Sequence, residues 1–211
     1  MSDKAIGAGN QQGRLSGVCR GEPSETIRQT PFTKLEIIAY LQGAMHDASL
    51  NKGKRIRFAQ KNAQWLENIQ QLLKQIGSNA WIYKEGKDRN VFVLETLCTD
   101  LNFAFDPCCL NTNQEKIFYV RGFFDAEGGI PLNNGRFYIQ LVQKNFEKIA
   151  YLKHFLESMG ITCGKIHNPS KRIDPDYWRI FIRAKDHEKF AKTIGSYHPV
   201  KAEIFRARMK I

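Results

Sequence analysis

Apolar positions divide the chain into helical and strand segments that occur twice in the same order. Residues 63–76 and 146–159 carry apolar side chains at helical spacing, and a glycine follows each segment, as suits a left-handed C-terminal cap. Before each helix, at residues 55–62 and 137–145, apolar and polar positions alternate, which predicts a strand with one covered face. Both predicted strands end in Gln-Lys-Asn, so the two regions share one register.

Shorter segments complete each copy in the same order. We predict strands over residues 81–84, 91–96, 165–167 and 178–183, and short helices near Leu101 and over residues 187–194. Each copy is then helix, two strands, helix, two strands, helix. The predicted fold class is α+β with two pseudo-symmetric αββαββα halves.

The predicted boundaries place a flexible tail before the two halves. Residues 1–30 are rich in Gly, Ser and Gln and lack periodicity, which is typical of a mobile segment. We assign residues 31–110 to the first half and residues 111–211 to the second.

Each half opens with a helix that carries a glycine in its interior. The spacing T-x-x-E, which forms a capping box, begins both helices, at Thr33 and at Thr112. Gly43 and Gly122 follow these threonines at the same interval. A glycine inside a helix costs about 1 kcal/mol relative to alanine. We therefore expect the two helices to cross at these glycines, backbone against backbone, at the interface between the halves.

Both of these helices end in acidic residues. The second ends in Gly-Phe-Phe-Asp-Ala-Glu-Gly, with Asp125 and Glu127, and the first is followed by Asp47. Carboxylates are disfavoured at a helix C-terminus and repel each other when close. A bound Mg²⁺ reverses that balance because it prefers carboxylate and water oxygens. The alternative is that these acids only terminate their helices.

Charge points to a polyanionic partner. The chain carries 32 Lys+Arg against 21 Asp+Glu, a net charge of +11 with a pI near 9.5. Such an excess is typical of nucleic-acid binding, although some soluble proteins are merely basic. Five cysteines without a C-x-x-C pair indicate reduced thiols in a cytosolic protein. No long apolar run or signal-peptide pattern indicates a membrane or secretion.

The stretch from Gly122 to Gly128 resembles the LAGLIDADG motif of homing endonucleases. With its repeat, the chain resembles the single-chain, two-motif members over residues 33–211. The resemblance implies a monomeric, site-specific double-stranded DNA endonuclease that requires Mg²⁺, with Mn²⁺ as a substitute. It also implies a central helix pair under a DNA-binding antiparallel β saddle, and cleavage of a long pseudo-palindromic target that leaves 3′ overhangs. Glu127 would coordinate the metal, and Asp125 would support the interface.

The first motif departs from this pattern. A gapless alignment on Gly43 puts Ala48 at the acidic position, whereas a one-residue deletion puts Asp47 there, through a tightened 3₁₀ turn. We favour Asp47 as the second metal ligand. His46 is either a partner of that ligand or an ordinary packed histidine. On the gapless alignment the chain nicks or only binds, as a maturase of its host intron RNA or a DNA-binding protein.

The resemblance assigns further residues by position. Gln60 and Gln143 end the matched strands and would organise water beside the acidic residues. Lys201 would stabilise charge near the scissile phosphate, with Lys116 as a weaker counterpart. The expected DNA-contacting residues, unless they are only solvated charges, are Arg55, Arg57, Lys61, Arg136, Tyr138, Gln140 and Lys144. The expected location is the cytoplasm, or an organelle in a eukaryotic host.

Overall fold

Two helices begin at the predicted capping boxes and form the centre of the fold. Helix α1 (Lys34–Ala44) follows Thr33, whose hydroxyl accepts from the backbone N–H of Glu36 while the Glu36 side chain accepts from the Thr33 N–H. Helix α3 (Asn113–Glu127) follows Thr112, whose hydroxyl accepts from the backbone N–H of Glu115, while the Glu115 side chain accepts from the N–H of Asn111 rather than that of Thr112. The T-x-x-E spacing therefore marks both helix starts as predicted.

The computed structural model describes residues 32–86, 88–132 and 135–209. The predicted tail over residues 1–30 lies outside the described residues. Among the helices that the structure describes, none is both long and apolar enough to cross a membrane.

The first sheet has four antiparallel strands in the order β1-β2-β4-β3. Its strands are β1 (Ala48–Asn51), β2 (Arg55–Gln60), β3 (Ala80–Lys84) and β4 (Phe92–Thr96), with α2 (Ala63–Gln75) between β2 and β3. On β2, the side chains of Ile56 and Phe58 are buried, while Arg55 and Ala59 are exposed. One face of the sheet therefore packs on the core and the other is open, as the alternation predicts.

The second sheet is smaller and differs from the prediction. It contains β5 (Gly128–Gly129), β6 (Gln140–Gln143) and β7 (Trp178–Phe181) in that order. The strand predicted over residues 137–145 is thus shorter, and Arg136 and Tyr138 precede it. Strand β6 extends only as far as its partners do: β7 pairs with all four of its residues and ends at Phe181, and β5 pairs with two of them.

Two other predicted segments are wrong. Residues 165–167 contain only one isolated bridge, between His167 and Arg179 of β7, rather than a strand. No helix forms near Leu101; instead a 3₁₀ turn spans Pro107–Cys109, capped by Asp106. Proline restricts the residue before it to extended conformations, which prevents a helix from running into this turn.

The remaining helices lie in the second half. Helix α4 (Phe146–Ser158) follows β6, and α5 (His187–Thr193) corresponds to the predicted closing helix. A further helix, α6 (Pro199–Met209), was not predicted. The fold class is α+β, as expected, but each half departs from the αββαββα order at its end.

Candidate functional site

The central helices cross at their glycines. A Cβ atom added at Gly43 would lie 2.1 Å from the carbonyl oxygen of Tyr119, and one added at Gly122 would lie 2.0 Å from the carbonyl oxygen of Tyr40. Real Cβ atoms do not approach other atoms this closely, so only glycine permits the crossing. The two contacts are reciprocal, and the structure brings these residues together where the sequence analysis expected an interface.

The crossing carries one acidic side chain from each helix to the same end. Helix α3 ends at Glu127, and α1 continues through a 3₁₀ turn, Met45–Asp47, of the kind that the one-residue deletion requires. Burial raises the pKa of Glu127, and the charge of Asp47 raises it further. Although solvent reaches Asp47, the protein packed around it also raises the pKa of that carboxyl. The two carboxylates therefore interact across the helix interface.

A lysine lies beside this pair. Lys201, on α6, donates to the carbonyl oxygens of Phe124 (2.6 Å), Asp125 (2.9 Å) and Gly128 (2.7 Å). Burial lowers its pKa to about 8, against the opposing effect of the nearby carboxylates. Its ammonium group therefore offsets the negative C-terminal end of α3. Lys116 is elsewhere, with its ammonium 5.7 Å from the ring centroid of Phe155.

Asp125 is buried and ties four segments together. Its carboxylate accepts from the Tyr40 hydroxyl (2.7 Å), the Tyr197 N–H (2.9 Å) and the Ser196 hydroxyl. The Trp65 N–H donates in turn to the Tyr40 hydroxyl at 2.9 Å. Burial raises the pKa of Asp125, while these donors favour its ionised form. This network fixes the segment before α6, and with it Lys201.

The two repeat-matched glutamines have different partners. The Gln60 amide donates to the Asp47 carboxylate. The Gln143 amide instead lies 3.0 Å from Nδ1 of His46, whose Nε2 lies 2.9 Å from the Tyr119 hydroxyl. Burial lowers the pKa of His46 to about 4, so the ring is neutral near pH 7. Nδ1 then accepts from the Gln143 amide, and Gln143 joins its own half to the first.

The acidic pair is a suitable donor set for Mg²⁺. Within residues 32–86, 88–132 and 135–209, no three or more His, Cys, Asp or Glu side chains are grouped to hold a metal. Mg²⁺ in proteins commonly uses one or two carboxylates and completes its shell with water and phosphate oxygens. Because burial and mutual repulsion raise the pKa of Glu127, a divalent cation at this position would relieve an existing electrostatic cost.

The predicted DNA-contacting residues lie on or beside the open sheet faces. Arg55 and Arg57 are on β2, and they form ion pairs with Glu95 and Glu85 respectively. Gln140 is on β6. The others are exposed and flank these strands: Lys61, Arg136, Tyr138 and Lys144.

The sequence analysis missed three features of this region: the partners of Asp125, the carboxylate partners of the β2 arginines, and Arg179 on β7. Arg179 lies directly opposite Val142 on the open face of the second sheet. Strand register decides which side chains share a face, and the register of β6 and β7 is set by pairing between residues far apart in sequence. The alternation of polar Arg179 with apolar Ile180 was the signal in the sequence that could have placed Arg179 on the open face.

Comparison of the sequence with models of known protein families identifies a match to one family. The model for the LAGLIDADG-like domain matches residues 38–102 and 114–195. The homing endonuclease I-ApeI of Aeropyrum pernix is 30% identical over 89 residues, which cover 42% of this chain and 38% of that protein. The chain therefore spans well under half the length of this curated relative.

Solved structures share the fold at low identity. I-DmoI in complex with DNA and Mn superposes with a TM-score of 0.59 at 22% identity, over 79% of this chain and 99% of that one. Full-length DUF199/WhiA from Thermatoga maritima gives a TM-score of 0.62 at 18% identity, over 86% of this chain and 63% of that one.

Proposed function

The chain belongs to the LAGLIDADG-like domain family, and from that premise we propose that it is a site-specific endonuclease that cuts double-stranded DNA with Mg²⁺. The observation that carries the proposal is the meeting of Asp47 and Glu127 beside Lys201. The homologous I-ApeI is named a homing endonuclease, and I-DmoI, which has the same fold, is described in complex with DNA and Mn. Mn²⁺ is a reasonable substitute for Mg²⁺ here.

Each residue of the site has a distinct task in this proposal. Asp47 and Glu127 hold the metal ion, which when bound lowers the pKa of water and neutralises phosphate charge. Gln60 holds the Asp47 carboxylate in place through its amide. Lys201 adds positive charge at the end of α3 and stabilises charge that develops on the phosphate. Asp125 fixes the segment that carries Lys201, so it acts by positioning.

The open sheet faces supply the DNA-binding surface. Antiparallel strands can enter the major groove and present side chains to base edges. Exposed Lys61 and Lys144 directly follow β2 and β6, near the acidic pair, where they would hold phosphates. We propose that one chain spans both half-sites as a monomer, because it carries both motif helices itself.

The test is cleavage of a plasmid that carries the candidate target, which is made by joining the two sequences that flank the intron in the host DNA. Wild-type protein is expected to linearise it with Mg²⁺, and Glu127→Gln is expected to abolish cleavage while retaining binding in Ca²⁺. Glu67→Gln is a matched control, since Glu67 is an exposed carboxylate on α2. Equal cleavage by Glu127→Gln and wild-type protein would refute the proposed role of Glu127 in the metal site.

A second candidate is a non-cleaving relative that binds DNA or assists splicing of its host intron RNA. The observation that favours it is the asymmetry of the motif helices: α1 has 11 residues and reaches Asp47 only through a 3₁₀ turn, whereas α3 has 15. The same plasmid assay separates the two. Absence of cleavage, with tight binding to the host intron RNA, would support the maturase.

A further inference from the structure

The open face of the second sheet carries an arginine diagonally across from a glutamine. In the register of β6 and β7, Arg179 lies opposite Val142 and Gln140 lies opposite Phe181. The residues between them on both strands, Leu141 and Ile180, are fully buried against the helices. Arg179, Gln140 and Phe181 therefore point to the face that is free of helices.

The guanidinium of Arg179 is held in one place. Its central carbon lies 5.6 Å from the ring centroid of Tyr177 and 5.4 Å from that of Phe181. Its Nη1 donates to Oε1 of Gln140 at 3.3 Å, and its Nε is buried without a hydrogen-bond partner. In the part of the chain that the structure describes, no carboxylate forms an ion pair with it. Arg179 is thus pre-organised but retains unused donors.

Gln140 is itself fixed by the strand beside it. A Cβ atom added at Gly129 would lie 2.5 Å from Nε2 of Gln140. The glutamine amide therefore packs over the glycine of β5, which has no side chain to displace it. Gln140 acts as a positioning residue that orients the arginine fork.

The first sheet presents a different surface at the matching places. Because Gln60 pairs with Phe92 and Gln143 pairs with Trp178, the repeat puts Val93 where the second half has Arg179. The two β2 arginines of the first half are each paired with a carboxylate, and Glu95 is only 2% exposed. Among the described residues, Arg179 of the second sheet therefore lacks the carboxylate partner that both β2 arginines have.

We propose that Arg179 is a base-reading residue of the second half and selects a guanine in the major groove, with Gln140 orienting it. The proposal rests on the function proposed above. An arginine fork can donate two hydrogen bonds to O6 and N7 of guanine, a pattern that no other base pair offers at that position. The flanking rings restrict the guanidinium before DNA binds, so less entropy is lost on contact.

The experiment is selection of bound duplexes from a library with a randomised segment, in Ca²⁺, followed by sequencing. Wild-type protein is expected to select a site with a strongly preferred guanine in one half. Arg179→Lys keeps the charge but not the fork, and it is expected to reduce that preference about tenfold or more while leaving the other positions unchanged. Gln140→Leu is expected to weaken the preference at the same position. Lys144→Gln, the control, should weaken binding to all sequences alike.

The possible results distinguish failure of the inference about Arg179 from failure of the proposed nuclease function. A site selected unchanged by Arg179→Lys would overturn the inference while leaving the nuclease proposal intact. If Arg179→Lys weakens binding to all sequences alike, Arg179 contacts a phosphate, and this result would also overturn the inference. If the wild-type protein selects no sequence, the proposed function fails and the inference with it. Thermal melting of each variant checks that it is folded, and Gln140→Leu provides the test should Arg179→Lys not fold.

Discussion

Replacement of Gly122 by alanine tests the helix crossing that brings the acidic residues together. The new Cβ atom would lie 2.0 Å from the Tyr40 carbonyl oxygen and 2.9 Å from the Ala44 nitrogen. Both are backbone atoms, so no side chain can rotate away. Reaching the 3.0 Å below which real Cβ contacts are essentially not seen requires the helices to separate by about 1 Å (3.0 − 2.0).

Two opposing terms set the expected magnitude. Alanine is favoured over glycine inside a helix by about 1 kcal/mol. Overpacking costs about 1–3 kcal/mol where side chains can adjust, and we expect the upper end or more here because rigid backbones meet. The net loss in unfolding free energy is then about 2 kcal/mol, which lowers Tm by about 4–8 °C for a protein of this size.

The assay is thermal and urea unfolding of the variant beside Gly164→Ala. The control Cβ would lie 3.5 Å from the Phe181 carbonyl oxygen, an ordinary contact, so its stability should change by less than about 0.5 kcal/mol. Cleavage by Gly122→Ala should fall even at temperatures where it is folded, because the helices that separate also carry Asp47 and Glu127. A variant as stable as wild type, or more stable, would refute the close crossing.

Three further predictions follow from the site. Because the pKa of Glu127 is raised in the folded state, the protonated carboxyl stabilises the fold below its ordinary pKa of 4.5, and this contribution is lost as pH rises. Glu127→Gln should therefore raise the Tm of the metal-free protein at about pH 7 but not at about pH 4. Mg²⁺ should stabilise only the wild type. Tyr40→Phe removes one of the three donors to the buried Asp125 carboxylate and the acceptor of the buried Trp65 N–H, and it should cost about 1–3 kcal/mol in urea unfolding, unlike Tyr138→Phe at an exposed position. DNA affinity should fall steeply with salt concentration in a titration, since several phosphate contacts release counterions; a flat dependence would contradict the basic sheet surface.

The sequence predicted the features that depend on local pattern. The capping threonines and the matched Gln-Lys-Asn segments each act within one helix or strand, so their spacing was sufficient to locate α1, α3, β2 and β6. The interior glycines act between two helices, but their equal distance from the two capping threonines was visible in the sequence. Asp47 could be placed beside Glu127 only by assuming a tightened turn, and the structure has a 3₁₀ turn there. Its metal-binding role stays a prediction.

Contacts between residues that are far apart in sequence could not be predicted from local pattern. Ser196 and Tyr197 meet Asp125 from about 70 residues away, and nothing in their local sequence marks them as its donors. Gln143 matches Gln60 in the repeat, yet it contacts His46 because the neutral ring accepts its amide. The repeat predicts where the backbone goes, whereas the chosen partner depends on which side chain from the other half is present.

The same distinction explains why the two halves are unequal. The helix crossing needs glycine on both sides, because each Cβ would meet the other backbone, and so the repeat is retained there. No such constraint acts on the open sheet faces, where one half pairs its arginines with carboxylates and the other leaves Arg179 unpaired. Lys201 lies beside the acidic pair, whereas Lys116 lies over a ring elsewhere. A protein built in this way brings two carboxylates together at one helix interface but has two chemically different sheet faces, so we expect its DNA target to be asymmetric in sequence.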